Sequence, residues 1–220
     1  MNLAIFDFCE TIIKYQTADK FVDFLYCKSN TKSWFWGTVS KFLGNRFLAI
    51  FMGKFFPKMN FGKRAKLIKL KGIDFNEFQI LSKLYAEEIQ TDAVNQIVEK
   101  IEWHKSQGHF LIIVSGGYEC YLNHFKEIMG FDEVIGTKIK ILDAKVTGYF
   151  NGPDCMVDEK VIRINEYLKE TGKNFEEIFC YTDSITDLPI LNFSNHPIVV
   201  SFKTAQNWAT NKKFEQIIWH

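Results

Sequence analysis

The chain has 220 residues, 47% of them hydrophobic, which suffices for one substantial core or for a core with a modest insert. Its formal net charge of +1 gives no global field aimed at nucleic acid or at a membrane, so no nucleic-acid partner is expected. Five cysteines without C-x-x-C pairing argue against a disulfide framework and for a reducing compartment, so a cytoplasmic protein is expected.

In chain order, Leu3-Ala-Ile-Phe is an apolar run with the length of a buried strand, and it stops at Asp7. It occupies the place where a secretory leader would lie, so none is expected. From Ala18 to Cys27, Phe21, Phe24 and Leu25 mark a helical face. Residues 31–61 are rich in aromatics (Trp34, Phe35, Trp36, Phe42, Phe47, Phe51, Phe55, Phe56), with Leu48 and Ile50 between them. They show no strand alternation, and Gly37, Gly44, Gly53 and Pro57 punctuate them, so helices are expected. The apolar stretch from Phe42 to Phe56 is interrupted by Arg46 and Lys54 and is too short to span a bilayer. Lys63, Arg64, Lys66, Lys69 and Lys71 follow as a basic run, read as a solvated helix face that could also steer an anionic substrate. Phe78, Leu81, Leu84 and Tyr85 place another helix over Phe75–Ile89.

From Thr91 a strand–helix rhythm resumes. Thr91 or Asp92 is the expected cap of a helix carrying Val94, Ile97, Val98 and Ile101. The strand 109–114 runs into Ser115-Gly-Gly, with a helix directly after it. Residues 133–137 read as a short strand, and residues 138–150 as a hairpin turning at Asp143-Ala144. A helix follows from Lys160, then the strand 178–181 leading to Asp183 and Asp187, another strand at 197–202, and a closing helix and strand. Three strand ends thus carry Asp7, Ser115-Gly-Gly, and Asp183 with Asp187. Open α/β sheets place their chemistry in the crevice at the carboxyl ends of the strands. A carboxylate nucleophile, a hydroxyl-plus-amide anion cradle and an oxygen-lined cation site are the parts that phosphoryl transfer needs.

The ordered set Asp7-Phe-Cys-Glu-Thr11, Ser115-Gly-Gly, Lys160 and Asp183-Ser-x-x-Asp187 resembles the haloacid dehalogenase (HAD) superfamily, and within it the phosphoserine-phosphatase-like hydrolases of subfamily IB. The resemblance implies an α/β fold: a Rossmann-like core with a mainly parallel sheet, a small β-hairpin and an inserted helical cap of the C1 type. The core would be residues 1–13 and 91–220, and the cap residues 14–90. It further implies Mg²⁺-dependent hydrolysis of a small phosphorylated metabolite through an aspartyl-phosphate on Asp7. Asp7, the Cys9 carbonyl, Asp183 and Asp187 would hold the metal, Asp187 directly or through water. Ser115 and the Gly116 amide would bind phosphate at a helix N-terminus, and Lys160 would neutralise charge there.

Two departures stand out. The resemblance calls for a second aspartate two residues after the nucleophile, to protonate the leaving alcohol, and this chain has Cys9. Glu10 stands where the family has glycine and could supply the missing carboxylate from the neighbouring position. Gln16 replaces a glutamate that reads a substrate ammonium, and Lys66 aligns with an arginine that reads a carboxylate, so phosphoserine itself is disfavoured. Alternatives to a working phosphatase are a phosphotransferase, or an impaired relative serving as a phosphate- and Mg²⁺-binding sensor or interaction module. The aromatic stretch 34–56 is read as cap core or a homodimer contact, with docking on a lipid surface as a weaker option.

Overall fold

In the computed structural model, Leu3–Phe6 forms β1, with all four residues buried. The structure describes residues 1–44 and 60–220. Strand β1 pairs in parallel with β2 (Phe110–Tyr118) on one side and β6 (Ile178–Thr182) on the other. Beyond β2 lies β3 (Glu133–Thr137), and beyond β6 lie β7 (His196–Phe202) and β8 (Glu215–Trp219). The six strands run in the order β3-β2-β1-β6-β7-β8, all parallel. Strand order reverses between β1 and β6, the switch point at which doubly wound sheets open a crevice. Alternate residues of the central strands feed different cores: Ala4, Phe6, Leu111 and Ile113 one, Leu3, Ile5, Ile112 and Val114 the other. Burial on both faces explains why these strands read as unbroken apolar runs.

Between β1 and β2 the described chain is helical: α1 (Thr17–Lys28), α2 (Trp34–Leu43), α3 (Phe61–Leu67), a 3₁₀ turn at Ile68–Leu70, α4 (Phe75–Ile89) and α5 (Asn95–Ser106). The aromatic and aliphatic positions 47, 48, 50, 51, 55 and 56 lie outside the described residues. After β2 come α6 (Glu119–Met129), a separate antiparallel hairpin of β4 (Ile139–Leu142) and β5 (Lys145–Phe150), α7 (Asp158–Thr171), α8 (Leu188–Phe193) and α9 (Asn207–Asn211). The hairpin turns at Asp143 and Ala144, both with positive φ, as a tight two-residue connection requires. Among the described residues no helix is long and apolar enough to cross a membrane.

Three local expectations are corrected. Helix α5 is not capped by Thr91 or Asp92; its N-cap is Val94, because Asp92 instead accepts a 2.7 Å bond from the Tyr15 hydroxyl. Strand β2 continues past Ser115 through a register shift, and α6 begins only at Glu119. The Gly116 amide therefore does not sit at a helix N-terminus. The basic run is a solvated face only in part, because each cation has a partner and Lys63 is turned inward. Lys63 is largely buried against Asp154, Arg64 lies over the Phe150 ring, Lys66 and Lys69 pair with Asp19 and Asp23, and Lys71 covers Trp36.

Candidate active site

The backbone amide of Asp7 donates to the Tyr181 carbonyl at 2.8 Å, continuing the β1–β6 ladder and fixing the carboxylate just past the strand end. Asp183 occupies the matching position after β6. Together with Ser115 and Gly116 on β2 they line a cavity of about 170 Å³ at the carboxyl edge of the sheet. Cys9, Glu10, Gln16, Lys160 and Asp187 line the same cavity. The structure thus brings together every sequence-predicted site residue except Lys66.

Lys160, 2% exposed, is the electrostatic hinge of the site. Helix α7 carries it inward, and its ammonium donates to Asp7 at 2.9 Å and to Asp187 at 2.6 Å. The Thr182 hydroxyl also donates to Asp187, at 2.7 Å, which leaves that carboxylate heavily engaged. Burial alone would push the Lys160 ammonium below its ordinary value, but Asp7 and Asp187 carry it above. Burial raises the Asp7 carboxyl, and Asp187 adds to this while Lys160 opposes it. Asp183 is lifted to about 7, first by burial and then by Asp7, Glu10 and Asp187. Thr11 braces it with a hydroxyl bond of 3.3 Å. One ammonium among these crowded carboxylates leaves negative charge in excess, and all the donors are hard oxygens. That combination suits a divalent cation such as Mg²⁺, which keeps several waters and needs only one or two carboxylates. Among the described residues no three His, Cys, Asp or Glu side chains form a ready-made metal cluster.

Cys9 faces a different environment. Its sulfur lies 3.1 Å from the Thr17 hydroxyl and accepts from the Thr17 amide at 3.4 Å. Thr17 in turn meets the Tyr121 hydroxyl at 2.7 Å, and the Tyr85 hydroxyl donates to its carbonyl at 2.9 Å. Burial, with Asp7 nearby, pushes the thiol up to about 11. Glu10 has φ +57, the left-handed region that glycine enters freely and a glutamate enters at a cost of roughly 1–2 kcal/mol. Gln16 Nε2 donates to Glu10 Oε2 at 2.7 Å, giving that carboxylate a fixed neighbour at the cavity mouth.

Ser115 accepts from the Gly117 amide at 3.2 Å. A Cβ on Gly116 would come within 2.2 Å of Met156 Sδ, so a larger residue there requires the Met156 side chain to move aside. Lys66 is absent from the cavity lining because it pairs with Asp19. Lys63, one turn earlier on α3, lines the cavity instead, with Asn60. The Lys63 ammonium donates to Asp154 at 2.5 Å and to the Gly116 carbonyl, and Asn60 donates to Asp154 at 3.0 Å. Thr137, at the end of β3, donates to Asp154 at 2.6 Å. Burial lowers the Lys63 ammonium, and Asp154 resists the shift. The sequence singled out Lys63 only as one member of the basic run, and did not single out Asn60, Thr137 or Asp154. The one local signal was the strand end at Gly136-Thr137; Lys63 was hidden among four other basic residues.

Comparison with known protein families matches residues 4–192 to the haloacid dehalogenase-like hydrolases. The chain is 26% identical over 105 residues to the histidinol-phosphatase of Neisseria meningitidis serogroup C, covering 46% of this chain and 47% of that protein. It thus spans about half the length of that relative. It is 23% identical over 187 residues to the phosphoserine phosphatase of Methanocaldococcus jannaschii, covering 85% of this chain and 79% of the relative. Among solved structures, a Bordetella pertussis Tohama I protein described as of unknown function superposes with a TM-score of 0.74 at 19% identity, over 98% of this chain and 97% of its own.

Proposed function

The chain belongs to the haloacid dehalogenase-like hydrolase family, and on that premise we propose that it is a Mg²⁺-dependent phosphatase cleaving a small phosphate monoester through an aspartyl-phosphate on Asp7. The observation that carries this reading is the meeting of Asp7, Ser115, Gly116, Lys160 and Asp183 around one cavity. Two of the relatives it matches bear phosphatase names, which supports the same class. Residues 14–90 serve as the cap, over a core of residues 1–13 and 91–220.

In this reading the Asp7 carboxylate attacks phosphorus and the bond to the leaving alkoxide breaks. The Ser115 hydroxyl and the Gly116 amide donate to the non-bridging oxygens, and the Lys160 ammonium, oriented by Asp187, balances their charge. Asp7, Asp183 and the Cys9 carbonyl would hold Mg²⁺, with Asp187 acting through Lys160 or a water. When bound, the cation would relieve the repulsion between carboxylate and phosphate dianion and would polarise phosphorus. The alkoxide takes a proton from a carboxyl group, and that carboxylate later takes one from the water that attacks the aspartyl-phosphate, which releases inorganic phosphate and frees Asp7. A thiol raised to about 11 is a weak donor and is not a base at neutral pH, so Cys9 serves both steps poorly. Glu10, held by Gln16, is the neighbouring cavity carboxylate we assign to that work. Lys63, rather than Lys66, is the cap cation available to an anionic substrate.

The elevated Cys9 thiol also favours a second reading, in which dephosphorylation is slow. Such a protein would hold its phosphoenzyme long enough to pass the phosphoryl group to an alcohol, or would act as a sensor. Phosphate release from a panel of phosphate esters, with and without Mg²⁺, separates these. Turnover should require Mg²⁺ and vanish in Asp7→Asn. Cys9→Asp should raise kcat by roughly 10²-fold or more if acid–base chemistry limits the natural protein, and Glu10→Gln should lower it. Mg²⁺-independent release, or full activity in Asp7→Asn, would sink the reading.

A further inference from the structure

Between Phe24 and Ile73 the sequence holds eleven lysines and arginines and not one aspartate or glutamate. The net charge of +1 therefore conceals +11 in this stretch against −10 over the rest of the chain. The field is local, and net charge alone hides it.

Helix α2, inside this stretch, is amphipathic in the inverted sense. Its buried residues are the small Gly37 and Ser40, while Trp34, Phe35 and Phe42 are 82%, 62% and 75% exposed. Gly37 lies so close to Tyr26 that a Cβ would fall 2.0 Å from the tyrosine oxygen, so the helix must turn its small side inward. Positions 34, 38 and 42 then share the outward stripe, with Lys41 beside them. Trp36 connects this stripe to a groove: its ring packs 5.1 Å from Phe35 and lies under the Lys71 ammonium at 3.8 Å. The groove, about 440 Å³, is completed from the β4–β5 hairpin by Lys140, Leu142, Lys145 and Tyr149. Leu142 and Tyr149 are themselves exposed. No acid is among the described residues that line the groove, and the Asp74 carboxylate caps α4.

We infer that α2 and this groove form a peripheral docking face for an anionic lipid bilayer. The aromatic side chains enter the boundary between headgroups and acyl chains, while Lys41, Lys71, Lys140 and Lys145 reach lipid phosphates. Charge complementarity selects this occupant. A second copy meeting it through the same face would set one acid-free basic segment against another. A nucleic acid would meet the same four lysines but no arginine, asparagine or glutamine on α2 or in the groove to read base edges. Exposed tryptophan and phenylalanine flanked by lysine is the pattern that suits a membrane interface. The inference stands apart from the phosphatase reading, since no catalytic residue enters it.

Co-sedimentation with lipid vesicles tests it. The wild-type chain should sediment with phosphatidylcholine vesicles containing phosphatidylglycerol, stay in solution with phosphatidylcholine alone, and detach as salt is raised. Replacing Trp34, Phe35 and Phe42 together by serine, all exposed and so tolerated by the fold, should weaken binding by at least about tenfold. Lys41→Glu should weaken it several-fold, whereas Lys169→Glu on α7, the same change in charge elsewhere, should not. The inference is overturned if wild type ignores anionic vesicles, if Lys169→Glu matches Lys41→Glu, or if the triple variant binds as before. It is equally overturned if the triple serine change abolishes a dimer or an oligonucleotide complex in a chain that never bound vesicles.

Discussion

At the scale of single residues, the site is governed by what burial does to charge. Lys160 stands between Asp7 and Asp187 with one ammonium for two carboxylates, an arrangement that persists only because each group is hydrogen-bonded. Cys9 and Glu10 invert the usual expectation for neighbouring positions: the one with the mechanistically named place is neutral and buried, and the one beside it carries a carboxylate on a strained backbone. Away from the cavity, His104 shows the same principle acting on stability. It is fully buried, its Nε2 lies 2.8 Å from the Tyr181 hydroxyl and its Nδ1 lies 2.7 Å from His109 Nδ1. Burial, with His109 and Lys100 nearby, lowers it from 6.5 to about 4. Above pH 6.5 both folded and unfolded chains hold it neutral. Between 6.5 and about 4 the unfolded chain binds a proton that the folded chain refuses, so stability falls as pH falls, by up to roughly 3 kcal/mol. His104→Gln should be less stable than wild type at pH 7, and that deficit should shrink at pH 4.5 when both are unfolded in urea. A deficit independent of pH would remove His104 from the acid response.

At the scale of elements, placement follows from ends and irregularities more than from periodicity. The register shift in β2 carries Ser115, Gly116 and Gly117 along the cavity before α6 begins, so the anion cradle is strand backbone and a serine hydroxyl. Helix α7 is entered through Val157 at φ +55, a rare conformation for a β-branched residue, and its first turns deliver Lys160. Helix α4 begins at Asp74, whose carboxylate accepts from the amides of Asn76 and Glu77 at 2.9 and 3.3 Å. Glu77, three residues on, does not close a capping box; it binds Ser29, the Asn30 amide and Thr31, tying the α1–α2 connection to α4. Asp74→Ala should cost about 1 kcal/mol of global stability. Unchanged urea midpoints would show that the cap is redundant with the Glu77 contacts.

At the scale of the molecule, the described helices α1 and α4 are not a separate body. Phe21, Leu25, Phe78 and Tyr85 share one continuous core with Phe6, Phe8, Tyr118, Tyr121 and Phe125. Native-state hydrogen exchange should therefore give α1 and α4 protection comparable to that of β1 and β2, and far faster exchange in α1 and α4 would mean that they open independently. The sequence by itself determined the parallel sheet, the hairpin and the helical insertion, because buried strands, tight turns and helical faces each leave a local pattern. It also determined that Asp7 and Asp183 follow their strands, although β2 runs past Ser115 to Tyr118, and these segments meet at the cavity. Only tertiary structure decided the rest. That Lys63 and not Lys66 lines the cavity depends on how α3 rotates against Asp19 and Asp154. That the Cys9 thiol is raised depends on Thr17 and on residues far along the chain. That α2 turns its aromatics outward depends on Tyr26 leaving room for nothing larger than Gly37. Burial and partner choice are properties of contacts between distant segments, and no local pattern carries them.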